Sequence, residues 1–259
     1  MKQRSMLAFL VIGLLSGQAA FAQSFDHMVF DRVLHTYAKP SGVDYAALKA
    51  GRADLDRYVA QLGTVSGKTY KGWSRNQQIA YLINAYNAIV LQQVIDDYPI
   101  QRSTNPSALV RPANSVWQID GFFDKLKHRL LGTSLTLDQI EHDWLRAKLK
   151  EPRIHFALVC AALSCPPLRR EAFSAEKLDA QLDDQARQFL NDRDRNRFGA
   201  ERGQLSEIFK WFADDFGGES GLRTYLGKYL NAELRARIQN SAYTIDYIDY
   251  DWTLNDVAR

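Results

Sequence analysis

Three residue types that can perform nucleophilic chemistry together stand within a short stretch of this chain: Glu141, His155 and Cys165. A cysteine becomes a nucleophile when a neighbouring base removes its proton, and that base needs a third group to hold its ring in place. In this reading Cys165 is the nucleophile and His155 the base. Glu141 or an asparagine orients the imidazole. The chemistry of that set is thiol-dependent hydrolysis or acyl transfer. Cys165 precedes Pro166, whose ring drives its neighbour into extended backbone, so the thiol is expected on a loop. Cys160 reads as a small buried hydrophobe, and a bond between Cys160 and Cys165 remains open. If it forms, the same residues describe a non-catalytic envelope or binding module. A metal site from His142, His155 and the cysteines ranks last, because zinc ligands usually come in plainer pairs. No cofactor motif appears: Gly-rich phosphate loops and dinucleotide fingerprints are absent.

Each candidate must be carried by an element. Glu141 lies four residues from both Leu137 and Leu145 of an apolar stripe, on a helix that Thr136 and Gln139 open as a capping box and Pro152 ends from beyond. A carboxylate beside the core needs a partner; Arg146, Arg153 and His155 are the candidates. His142, next along that helix, points away from Glu141 by roughly 100°. The run Arg153 to Cys160 reads as a buried strand with His155, Ala157 and Val159 on one face. Asn84 and Asn87 share a face of a helix that is apolar nearly all round. They must bond neighbouring backbone, or else orient a catalytic side chain or bind substrate. Ser74 and Gln77 cap that helix, and Pro99 stops it near Tyr98.

The rest of the chain reads as mixed structure with helices in the majority. Phe25 to Tyr37 and Tyr45 to Leu62 carry helical spacing around a turn at Lys39-Pro40-Ser41-Gly42. Val116 to Ile119 and Lys125 to Leu135 suggest strands or a hairpin. Helices are expected at about Ala175 to Leu190 and Ser206 to Phe216, and a late strand at Tyr243 to Trp252. The fold class is α+β, a mostly helical single domain over residues 23–259 with a small, mainly antiparallel sheet.

Lys2 and Arg4 precede the apolar run Met6 to Leu15, and Ala20-Phe21-Ala22 supplies small residues for cleavage. Residues 1–22 therefore read as a secretory signal, with Gln23 first in a secreted or periplasmic chain. The apolar run is about ten residues, about half what a membrane span needs, so no stable membrane anchor is expected. The formal charge of +3 falls to about +1 once Lys2 and Arg4 are gone, and no basic stripe is present, which argues against nucleic acid as partner. The expected ligand is a small molecule or peptide-like.

Asn84-Ala85-Tyr86-Asn87-Ala88, Ile140-Glu141-His142 with Leu145-Arg146, Arg153 to Cys160 with Ser164-Cys165-Pro166, and Tyr250-Asp251-Trp252 with Leu254-Asn255 together resemble the family known as domain of unknown function 547. The resemblance runs from about Trp73 to Asn255. It implies a shared fold and motif set. It implies no activity, since the family has none established.

Overall fold

The computed structural model describes residues 24–258. The secretory signal expected over residues 1–22, and the cleavage expected after Ala22, lie outside the described residues. Among the described residues no helix is long and apolar enough to cross a membrane.

The fold is built around the helix Arg75–Asp97, whose residues from Ile79 to Leu91 are all buried. A helix apolar on every side can only be the axis of a helical layer, and here Tyr45–Ala50, Ala53–Leu62 and Gln139–Leu149 pack against it. Its start is fixed by the expected reciprocal pair: Ser74 Oγ accepts from the Gln77 amide, and Gln77 Oε1 accepts from the Ser74 amide. Thr136 and Gln139 form the same pair in front of Gln139–Leu149, although that segment winds as a π-helix.

The architecture is α+β and mostly helical, with small sheets. The hairpin expected in Lys125 to Leu135 forms from His128–Leu130 and Thr133–Leu135. Arg197–Phe198 pairs antiparallel with Arg202–Ser206, which pairs parallel with the late strand Thr244–Ile248.

Three expectations are corrected. Val116–Gln118 is a 3₁₀ turn, capped by Ser115, rather than a strand. The helix expected over Ser206 to Phe216 is broken into Ile208–Trp211 and a 3₁₀ turn Ala213–Phe216. Pro152–Phe156 is a 3₁₀ helix, so His155 is not on a strand. The reason for the last is local. Pro152 sits at the first helical position, and the Glu151 carboxylate accepts from the Arg153 amide, closing a turn that apolar propensity alone does not show.

That 3₁₀ helix joins two hydrophobic cores. Ile154 belongs to the core around the central helix, whereas Phe156 packs with Phe189, Phe209 and Phe216 in a second one. His155 lies between them, 4% exposed.

Candidate functional site

His155, Glu141, His142, Cys160 and Cys165 all line one cleft of about 460 Å³. Its other wall is aromatic. Trp211 and Trp252 are stacked with centroids 5.9 Å apart, and Trp117 meets Trp252 edge-on at 5.2 Å. Trp117 and Trp211 are 37% and 43% exposed, so ring surface is presented to solvent rather than spent in the core. Arg111 lies over the Trp117 ring at 4.8 Å.

The residue that holds His155 is Asp215, which sequence reasoning passed over. Its Oδ2 is 2.7 Å from His155 Nε2 and also accepts from Arg146 Nε. The hydrogen bond from His155, with help from Arg146, holds the Asp215 carboxyl well below the usual carboxylate range. An ionised carboxylate only accepts, so Nε2 carries the proton. Burial lowers the imidazole's own pKa against the opposing pull of Asp215, which favours the neutral ring. Nδ1 is then a bare acceptor. The ring is clamped flat against Phe212, with centroids 4.0 Å apart and planes 18° from parallel.

Glu141 faces the other side of the imidazole without a hydrogen bond to it: its Oε1 is 3.9 Å from His155 Nδ1, an ion-pair distance, and the phenol of the buried Tyr86 interacts with the same carboxyl. With its side chain only 13% exposed, burial pushes the carboxyl up to about 7, against the nearby Arg146 charge. Arg153, considered as its partner, instead binds Glu151, Asp179 and Asp183. His142 is exposed at the rim, where its Nδ1 accepts from Arg146 Nη1 at 2.8 Å. Shielding at the cleft, and then Arg146, lower its pKa.

Cys165 is bonded to Cys160. The expectation of a free thiol at Cys165 is corrected: this residue is 2% exposed and, in this state, has no thiol to ionise. Cys160 is the more exposed partner, its sulfur 3.2 Å from the Tyr250 hydroxyl. Between them Ala161 takes a φ of 63°, a left-handed conformation uncommon for a residue with a Cβ.

Asn84 and Asn87 do not line the cleft. Asn84 bonds both backbone groups of Phe173, and Asn87 donates to the Ala157 carbonyl while accepting from the Val159 amide. Asn87 thus fixes the stretch between His155 and Cys160 to the central helix. Among the described residues, no group of three or more His, Cys, Asp and Glu side chains is gathered as a metal-ligand set.

Residues 70–190 match the model of a family described as "Protein of unknown function, DUF547". This stretch is similar to that family. No curated protein and no solved structure matches the chain. The DUF547 stretch holds the central helix, the π-helix, His155 and both cysteines, whereas Asp215, Trp211, Tyr250 and Trp252 follow it. Apart from Trp117, the aromatic wall is therefore supplied from beyond the matched segment, as is the imidazole's partner.

Asp215 left only a faint trace in the sequence. The run Phe209 to Phe216 is rich in aromatics, and an acid at its end followed by Gly217-Gly218 marks a carboxylate at an abrupt turn near the core. Tyr250 and Trp252 were visible as part of a motif, but alternation was read as strand and not as a cleft wall.

Proposed function

We propose that this chain is an exported binding module whose cleft receives an uncharged small-molecule or peptide-like ligand. The observation that carries this reading is the partly exposed wall of Trp117, Trp211 and Trp252 facing a polar end made of His155 and a shielded Glu141. Binding sites commonly combine apolar and aromatic lining with a few convergent polar groups, and this cleft has that composition. Burial pushes the Glu141 carboxyl up to about 7, so near neutral pH its protonated form is accessible and can donate as well as accept a hydrogen bond.

A second reading, thiol-dependent hydrolysis or acyl transfer, is favoured by one feature. Asp215 leaves His155 Nδ1 as a free acceptor in the cleft that also holds Cys165. It requires the Cys160–Cys165 bond to open first. The binding reading needs no such change and stands first.

Titration with the neutral dye Nile red, read by energy transfer from tryptophan, tests the binding reading. One saturable site in the parent is the expected result. Trp211→Ala combined with Trp117→Ala should weaken it by at least about tenfold, equivalent to roughly 1.4 kcal/mol. Unsaturable dye uptake, or equal affinity in parent and variant, refutes the binding reading.

A further inference from the structure

We infer that the Cys160–Cys165 pair is a thiol–disulfide exchange site that accepts two electrons from a small dithiol entering the cleft. This goes beyond ligand binding and rests on three observations.

The bond is redundant as a staple. The loop that it closes is already fixed without the sulfurs. The Leu163 amide donates to Thr253 O at 2.8 Å, the Asn255 amide donates to Ala161 O at 3.0 Å, and the Ser164 amide donates to Asp251 O at 3.2 Å. Arg195 adds bonds to the carbonyls of Cys165 and Leu163 at 2.7 and 2.8 Å. A disulfide across so short a loop also removes little entropy from the unfolded chain. Opening it leaves those contacts in place.

The pair is placed to react. Both cysteines line the cleft, in company with His155, at the edge of the core around the central helix, of which Cys165 is a member and against which Cys160 packs. The two ends are also unequal. Cys160 retains exposure, whereas Cys165 is 2% exposed and its sulfur accepts the Cys160 amide N–H at 2.8 Å. An amide pointing at a sulfur stabilises the thiolate, so Cys165 is the better leaving group and Cys160 the sulfur that is attacked.

The steps balance as follows. One thiolate of the dithiol attacks the Cys160 sulfur, forming a mixed disulfide, and Cys165 departs with the electron pair. The dithiol's second thiolate then attacks its own sulfur in the mixed disulfide and closes a ring, expelling Cys160 as thiolate. The dithiol is oxidised to a cyclic disulfide, the cysteine pair is reduced, and the two protons that the dithiol loses to solvent are returned to the pair as its thiolates protonate.

Dithiothreitol is the probe. The folded full-length protein should gain two alkylated cysteines by mass after treatment, with its far-ultraviolet circular dichroism unchanged. A bond that survives in the folded protein and is reduced only after denaturation overturns the inference. Trapping the mixed disulfide tests which sulfur is attacked. Glutathione added to the folded, oxidised protein and quenched with acid should leave its adduct on Cys160, located by peptide mass. An adduct on Cys165, or equal adducts on both, overturns the assignment. Nile red binding to the oxidised protein is measured separately, so failure of the cleft as a binding site and failure of the exchange chemistry are distinguishable.

Discussion

At the scale of single residues, the site contains two groups whose protonation is set by what surrounds them, and each gives a signed expectation. Burial raises the Glu141 carboxyl from its ordinary 4.5 to about 7. Between those values the folded protein binds a proton that the unfolded chain has released, so stability falls as pH rises through this window and the loss is complete above it. Glu141→Gln keeps the shape and removes the titration. Urea melts at pH 8 should find the variant more stable than the parent by on the order of 1–3 kcal/mol, with the gap closing toward pH 4.5. A gap that stays constant across this range contradicts the assignment. For His155, burial lowers the pKa and Asp215 opposes it. Replacing Asp215 by Asn removes that opposition, so the imidazole titration followed by NMR should move to still lower pH. Movement upward would show that Asp215 does not carry the charge facing the ring.

At the scale of elements, what positions the imidazole is a set of short turns more than the long helices. Asp215 occupies the last turn before Gly217, whose φ of 91° reverses the chain, and a Cβ there would lie 3.1 Å from the Gly221 Cα. Gly217→Ala strains that turn by roughly 1 kcal/mol or more. It should displace Asp215 and move the His155 titration in the same direction as Asp215→Asn, while a variant that shifts stability alone would separate the turn from the site. The buried amides link elements in the same manner. Asn84→Ala and Asn87→Ala each leave a backbone amide and carbonyl unpaired, and denaturant melts should show a loss of about 1–3 kcal/mol each. Melts that match the parent would mean that neither pair of bonds persists in solution.

Legibility follows the same division. The long helix with its Ser74 cap, the Thr136 cap and the hairpin were readable because capping pairs, proline and Gly132 act locally. The 3₁₀ form of Pro152–Phe156 was not, because Ile154 and Phe156 read as strand residues until Glu151 closes the turn and each side chain enters a different core. Asp215 was hidden for another reason. It is 60 residues from His155, and nothing in a linear pattern pairs an acid with a histidine at that range.

At the scale of the whole molecule, the cleft is assembled from segments that span most of the chain: Trp117 from a 3₁₀ turn, Glu141 from the π-helix, His155 from the seam between the two cores, and Trp252 from the closing segment. The last of these also ties distant parts together. Asn255 accepts from the Tyr45 hydroxyl through its side chain and from the Val43 amide through its carbonyl, while its own amide bonds Ala161 in the cysteine loop. Gly42, at φ 144°, permits this approach, since a Cβ there would meet the Asn255 carbonyl oxygen at 2.1 Å. One segment therefore holds the amino-terminal helices, the disulfide loop and the aromatic wall in register. Ligand binding should reach all three, which makes the location of binding the most direct test. Amide and imidazole NMR shifts recorded as Nile red is added to the isotope-labelled protein should change first at Trp117, Glu141, His155, Cys160, Trp211 and Trp252. Changes confined to the separate polar cavity around His27, Arg32 and Glu176, with this set unmoved, would contradict the account.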